Sequence, residues 1–368
     1  MRRLVRRLVI VLGVLAAAHA YIWWRLVAEP GWPTPIAVVA TIAIVVLAPS
    51  LPATIFVARR FTRAQAKPVL WVAYTWFGCA LYLLIAAAST HVACALSSLA
   101  PRTAAEVGLV AAVLAIAFGV IHARRQPIVR RVRVPLDKLP SSVDGYTIVQ
   151  LTDVHVGWTL GAEFVEQVVA TVNQLDADLV VLTGDLVDGD VRELATHVAP
   201  FANLRARDGV YAVTGNHEYY WNVHAWLAHF GSLGIRFLRN ERVTIRGALE
   251  LAGSDDITAA GMAEGHGEDI ARAVAGRDPA LPLVLLAHHP RSVTSAVAAG
   301  VDLQLSGHTH GGQLLPLGWL VRLFEPRVAG LARFGATWLY VSEGTGFWGP
   351  PMRIGTSCES AAITLVRG

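Results

Sequence analysis

Residues 146–157 read Tyr-Thr-Ile-Val-Gln-Leu-Thr-Asp-Val-His-Val-Gly. A short apolar run of this kind predicts a buried strand, and it ends on two potential metal ligands, Asp153 and His155. The pattern recurs along the chain. The run at 179–183 leads into Gly184-Asp185, and that at 210–213 into Gly215-Asn216-His217-Glu218. The run at 283–287 leads into His288-His289-Pro290, and that at 303–305 into Gly307-His308-Thr309-His310. Five runs therefore deliver polar groups at their carboxyl ends, where sites gather in α/β sheets. Helix-like stretches at 162–175, 192–203 and 224–233 separate several of them. Runs at 244–252, 338–341 and 361–366 read as further strands. This alternation begins at residue 134, which leaves about 235 residues for a sizeable core, and predicts an α/β domain over 140–368.

The residue types narrow the chemistry. Imidazole and carboxylate together suit borderline divalent metals such as Mn, Fe, Zn or Co. Cys79, Cys94 and Cys358 are scattered, which speaks against a disulfide framework and against a structural zinc knuckle. In Asp153-x-His155 and His308-x-His310, extended backbone would point both polar side chains the same way. A carboxylate has two oxygens, so one Asp can bridge two cations. Glycines beside Asp185, Asn216 and His308 allow tight turns and close approach. Taken singly, Asp153 and Asp185 would serve as caps or turn residues, and Asn216 as a turn residue; five such clusters in order favour ligation. His288 and His289 are adjacent, so their side chains diverge in extended backbone. Asp188 and Glu218 read either as groups that orient a ligand or as turn residues. His197, His224, His229 and His266 read as surface groups.

The series D-x-H, G-D-x-x-D, G-N-H-E, H-x-P and G-H-T-H resembles the calcineurin-like metallophosphoesterase family, in order and spacing, over roughly 140–368. Gly311-Gly312-Gln313, Gly344-Thr345-Gly346 and Arg353 resemble bacterial membrane-associated members of the UDP-2,3-diacylglucosamine hydrolase-like kind. The resemblance implies a four-layer α/β/β/α sandwich that hydrolyses phosphoric esters with two divalent metal ions. It implies that Asp153, His155 and His310 hold one metal, that Asn216, His288 and His308 hold the other, and that Asp185 bridges the two. It makes His217 the catalytic group that protonates the leaving oxygen or steadies the charge on the phosphate. Two cations about 3.5–4 Å apart activate a water for in-line attack on phosphorus.

The first 123 residues are of another kind. The whole chain is 54% hydrophobic and only 16% charged, too apolar for one soluble domain. Glu29 and Glu106 are the sole acids before residue 124. Apolar runs at about 8–27, 35–57, 69–89 and 104–122 each reach the roughly 20 residues that cross a bilayer. Arg2, Arg3, Arg6 and Arg7, then Arg59, Arg60, Arg63 and Lys67, then Arg124, Arg125, Arg130, Arg131 and Arg133 flank them. Four spans put all three clusters on one side, which the positive-inside rule makes the cytoplasm. The expectation is a multi-pass protein of the cell (inner) membrane, with a basic linker at 124–139 and the catalytic domain on the cytoplasmic face. The first run also reads as a signal peptide or, with Arg2-Arg3 and Arg6-Arg7 before it, as a twin-arginine export signal. Two points weigh against export: no clear small-residue cleavage site leads into a polar mature start, and three more spans follow. His19, His91 and His122 read as packed or interfacial.

The net charge of +4 follows from arginines at membrane edges, which suits anionic lipid headgroups and gives no reason to expect nucleic acid. Membrane lipids and a phosphoester, lipid-linked or phosphodiester, are the expected partners. Hydrolysis of soluble or cyclic nucleotides and a non-catalytic membrane scaffold are the alternatives. The segment 314–334 carries Trp319, Leu320, Val321, Leu323 and Phe324 with Arg322 and Arg327; it reads as a lid, as extra core, or as a surface against lipid. Tyr219, Tyr220, Trp221 and 347–351 are candidates to line a cleft, and Arg353 to bind a phosphate.

Overall fold

The structure is a computed structural model that describes residues 2–368. The side chains of Arg2, Arg3, Arg7, Arg59 and Arg63, which belong to the basic clusters above, lie outside the described residues. Contacts divide the chain into two compact units: Met1–Arg124 with Gly349–Ile354, and Arg125–Trp348 with Gly355–Gly368.

The first unit is helical: α1 (Arg2–Trp23), α2 (Thr34–Leu47), α3 (Ser50–Arg60), α4 (Arg63–Leu96) and α5 (Pro101–Ala123). Proline in the first turn starts α2 and α5, where its missing N–H costs nothing. Among the described residues, four stretches are long and apolar enough to cross a membrane: Val9–Ala28, Thr34–Thr54, Ala64–Leu96 and Pro101–Ala123. The first continues past α1 through a π-turn at Trp24–Ala28. The second is broken at Ala48-Pro49, because proline cannot continue the hydrogen-bond ladder. The third outruns the expected 69–89, since small residues carry the helix on and Thr62 with Gln65 caps its start. A Cβ on Gly108 would lie 2.8 Å from Thr90 Cγ2, the close backbone approach that small residues permit between membrane helices. Trp76 Nε1 donates to His19 Nε2 at 3.1 Å, and Tyr21 pairs with His91 at 3.0 Å, so both histidines are packed.

The segment Gly349–Ile354 belongs to this unit. Met352 is fully buried, and a Cβ on Gly78 would sit 2.6 Å from its Sδ. A Cβ on Gly119 would sit 2.6 Å from Ile354 Cγ1. The buried Arg353 donates its backbone N–H to Gly119 O at 3.0 Å.

The second unit is a mixed α/β fold of two six-stranded sheets. The first sheet runs β1 (Ile128–Leu136), β12 (Glu359–Arg367), β2 (Thr147–Leu151), β3 (Leu179–Thr183), β4 (Val210–Val213), β5 (Arg236–Phe237). The second runs β10 (Gly330–Phe334), β11 (Thr337–Val341), β9 (Leu303–Ser306), β8 (Leu283–Leu286), β7 (Leu249–Gly253), β6 (Glu241–Ile245). Ile148, Val181 and Val213 of one sheet share a buried cluster with Leu251, Val284 and Leu305 of the other. Alternation along each strand sends the remaining apolar residues outward. There α6 (Ala162–Asn173), α7 (Val191–Val198) and α9 (Val223–Ser232) cover the first sheet. Helices α10 (Ile270–Ala273) and α11 (Val293–Ala298) cover the second. The layers are α/β/β/α, as expected.

Two expectations need correcting. The basic stretch at 124–139 contains β1, a nine-residue edge strand parallel to β12. The run at 244–252 is two antiparallel strands, β6 and β7, because Arg246 and Gly247 take positive φ and turn the chain.

The topology positions the site. Strands β2, β3 and β4 are mutually parallel, as are β7, β8 and β9. Their carboxyl ends carry the five polar clusters to one rim.

Candidate metal centre

Asp153 leaves β2 fully buried, and its carboxylate accepts from Thr152 Oγ1 at 2.7 Å and from the His308 N–H at 3.0 Å. His155 follows, and its Nε2 lies 3.0 Å from Nε2 of His310. His310 Nε2 in turn lies 3.4 Å from Asp153 Oδ1. Asp153, His155 and His310 thus bring three ligand atoms within 4.8 Å of one another. Asp153, Asp185 and His288 form a second such group, and His155, Asp185 and His217 a third. Asp185 is common to two of them, and its Oδ2 lies 3.1 Å from His288 Nε2 and 3.9 Å from His155 Nε2. His288, His289 and His308 form a fourth.

The reason these side chains converge differs from the expected one. Asp153 (φ 51°), His155 (φ 50°), Asp185 (φ 54°), His308 (φ 69°) and His310 (φ 50°) all sit in the left-handed region. The backbone there is coiled rather than extended, so strand alternation does not aim the pairs. Left-handed backbone costs a non-glycine residue about 1–2 kcal/mol, and such residues cluster at functional sites. Neighbouring glycines complete the cradle. A Cβ on Gly307 would lie 2.1 Å from Asp153 Oδ2, and one on Gly215 would lie 2.2 Å from Asp185 Oδ1.

Asn216 and His217 open the short helix α8 (Asn216–Tyr220) at the end of β4. The His217 N–H donates to Asp185 Oδ1 at 2.8 Å. Asn216 Nδ2 donates to Tyr220 Oη at 3.2 Å, leaving Asn216 Oδ1 buried without a hydrogen-bond partner. His288 Nδ1 is turned by the Thr183 carbonyl at 2.7 Å, which leaves Nε2 facing the Asp185 carboxylate at 3.1 Å, and His308 Nδ1 is buried without a hydrogen-bond partner. Buried polar atoms are almost always paired. The two orphaned atoms on Asn216 and His308, with His288 Nε2 turned toward Asp185, fit a cation-binding donor set.

Sequence reasoning left Asp188 and Glu218 open. Asp188 lies between two imidazoles: Oδ2 is 3.1 Å from His155 Nδ1, and Oδ1 is hydrogen-bonded to His217 Nδ1. Glu218 is fully buried and accepts three backbone N–H groups, from Leu186 at 2.7 Å, Gly215 at 2.7 Å and Asp185 at 3.0 Å. It is a tie between two ligand turns. Asp256 went unnoticed, although Gly253-Ser254-Asp255-Asp256 closes β7 with the same pattern as the other strand ends. Its Oδ2 lies 3.4 Å from His289 Nε2, while the His289 ring lies tilted by 37° against His308 with centroids 3.5 Å apart. His266 is buried against Tyr219, not on the surface, with Tyr219 Oη 2.9 Å from its Nδ1. Tyr219 is core, whereas Tyr220 and Trp348 place rings 5.1 Å and 6.0 Å from that of His217.

The electrostatics follow from burying many charges together. Burial raises the Asp153 carboxyl. Burial would raise Asp188 too, but the charges of His155 and His217 outweigh it and hold that carboxyl below the usual range. Burial opposes the charge on His217, yet Asp185 and Asp188 push its pKa up to about 10. Burial, aided by the charge of Asp185, pushes Glu218 up to about 7. Burial and the nearby His288 push His308 down to about 3, leaving it neutral, as a ligand must be.

A model of the calcineurin-like phosphoesterases matches residues 146–312. An uncharacterized metallophosphoesterase of Aquifex aeolicus is 33% identical over 239 residues, 64% of this chain and 91% of that protein. This chain belongs to the calcineurin-like phosphoesterases. Family members use divalent metals, and the cluster above is where this member can hold them. A bovine "transmembrane protein with metallophosphoesterase domain" is 41% identical over 261 residues, 67% of this chain and 59% of that protein. An uncharacterized metallophosphoesterase of Helicobacter pylori is 37% identical over 243 residues, 66% of this chain and 64% of that protein. The chain therefore spans about three-fifths of these two relatives. The finer resemblance to UDP-2,3-diacylglucosamine hydrolases finds no specific counterpart, since these relatives are named simply as metallophosphoesterases.

Proposed function

We propose that the second unit hydrolyses a phosphoester, a phosphodiester in particular, with two divalent cations. Asp153, His155 and His310 would hold one, Asn216, His288 and His308 the other, and Asp185 would bridge them. The observation that carries this reading is the pair of orphaned buried atoms on Asn216 and His308 beside the compact Asp153, His155, His310 and Asp153, Asp185, His288 groups. Bound there, the cations would supply Lewis acidity toward the phosphate oxygens and toward an attacking water.

The chain's own residues do the rest. Asp188 engages Nδ1 of His217, which leaves Nε2 as the atom that exchanges a proton. With Asp185 and Asp188 favouring its charged form, His217 is suited to donate a proton to the leaving oxygen or to steady charge on the phosphate. Glu218 fixes the Asp185 and Gly215 turns by hydrogen bonds to their backbone. Thr183 O sets which nitrogen of His288 faces the cluster, the usual way in which an imidazole ligand is oriented.

The four apolar stretches and their basic flanks support a multi-pass inner-membrane protein with its catalytic unit in the cytoplasm, and hence a lipid-linked substrate. Purified full-length protein with Mn should hydrolyse bis-p-nitrophenyl phosphate, and Asp185→Asn should cut turnover at least 100-fold. No turnover by metal-loaded protein, or no effect of Asp185→Asn and His217→Ala, sinks the reading. A screen of lipid phosphodiesters beside cyclic and linear nucleotides then separates the substrate classes.

A further inference from the structure

Just after the His310–Gly312 turn lies α12 (Leu317–Val321). Along it and beyond, Trp319 is 66% exposed, Leu320 56%, Leu323 73% and Phe324 68%. Scattered exposed apolar residues are ordinary, but four large ones within six positions form a patch that asks for a partner.

The patch is held rather than loose. Arg291 Nε donates to Phe324 O at 3.0 Å and pairs with the buried Glu325 at 2.9 Å. A Cβ on Gly312 would lie 2.2 Å from Gly318 Cα, so α12 rests directly on the turn that carries His310. The fold therefore presents these side chains instead of failing to bury them. Charge then selects the partner. From 319 to 327 the exposed charged groups are Arg322 and Arg327, while the one acid, Glu325, is buried against Arg291. Tryptophan, aliphatic side chains and arginines together make an interfacial surface for anionic lipid. The four apolar stretches of the first unit keep a bilayer at high effective concentration.

We propose that α12 and the turn after it dock into an anionic phospholipid surface, with Trp319, Leu320, Leu323 and Phe324 in the acyl boundary and Arg322 and Arg327 on lipid phosphates. This holds whatever the domain hydrolyses, so it does not stand or fall with the catalytic reading. It also gives a cavity of about 540 Å³ a purpose. Trp319, Arg322, Arg327, Glu343 and Gly311 line it, and Gly311 follows the candidate ligand His310. A docked α12 would bring lipid headgroups to the mouth of that cavity, beside the candidate metal centre.

The test uses the full chain in nanodiscs of phosphatidylcholine, alone or mixed equally with phosphatidylglycerol. A photo-crosslinking p-benzoylphenylalanine replaces Leu323, or Leu320 as a second position, and Arg192 on α7 serves as the exposed control. Lipid adducts should form at 323 and 320 but not at 192, and rise several-fold with phosphatidylglycerol. Arg322→Ala or Arg327→Ala should each lower adduct yield roughly fivefold, the factor expected for one basic residue at an anionic surface. Adduct levels at 323 and 320 no higher than at 192, adducts insensitive to phosphatidylglycerol, or crosslinks to protein in place of lipid would each overturn the proposal.

Discussion

Asp188 shows how one side chain couples two tasks. Its two oxygens engage Nδ1 of His155 and Nδ1 of His217, so it orients a candidate ligand and a candidate proton donor at once. Asp188→Asn should lower metal affinity or turnover by about 10–100-fold, the usual effect of losing such a support. The sign of its pH effect follows from charge. Asp185 and then Asp188 raise the pKa of His217 against the cost of burial, so activity that needs protonated His217 fades as pH rises past that value. Removing one carboxylate lowers the pKa, and the alkaline limb of the pH–rate profile should move to lower pH; an unmoved limb would argue against His217 as the donor. Glycine carries a separate prediction. Gly307→Ala and Gly215→Ala push a methyl onto Asp153 and Asp185 and, for Gly215, onto the Asp185 backbone nitrogen, so cation content per chain should drop well below that of wild type, with a loss of metal-free stability of about 1–3 kcal/mol from overpacking.

Among the elements, strand ends were the most legible part of the sequence. Leu179–Thr183 and Val210–Val213 match the apolar runs residue for residue, because a strand buried on both faces is written as a continuous apolar run. The first strand was hidden for the opposite reason. In Ile128–Leu136 three arginines interrupt the valines, two of them adjacent, and Arg130 points to Glu343 and Glu359, acids more than 200 positions away that no local pattern reveals. The ligand turns were legible in residue type and not in shape. Nothing in D-x-H announces a positive φ at both ends; the surrounding hydrogen bonds, such as those from His308 N–H to Asp153, impose it. Since His310 holds a left-handed backbone at a cost of about 1–2 kcal/mol, His310→Gly should leave the metal-free melting temperature at or above that of wild type. The rise in melting temperature that Mn produces in wild type should shrink or vanish in the same variant.

For the whole molecule, composition alone separated a helical, nearly acid-free part from an α/β part. What composition could not show was that the division is not a single cut in the chain. Topology is testable at this scale: a reporter fused after Gly368 should read cytoplasmic if the proposed orientation, drawn from the positive-inside rule, holds, and a periplasmic signal would reverse that orientation. Chelation should act on the second unit as a whole, because cations bound only to the folded state add RT ln(1 + [L]/Kd) to its stability. With EDTA the thermal transition of that unit should fall by several degrees and recover when Mn is restored; an unchanged transition would mean that no cation is held there.

The segment Gly349–Ile354 sets a practical limit on dissecting this protein. Its Met352 and Ile354 find their packing against Gly78 and Gly119 on α4 and α5. A soluble fragment cut to begin at Arg125 would keep those side chains and lose the helices that shelter them. Such a fragment should be sticky and short-lived in solution, and replacing Met352 and Ile354 with polar residues should improve its yield more than changes elsewhere on its surface.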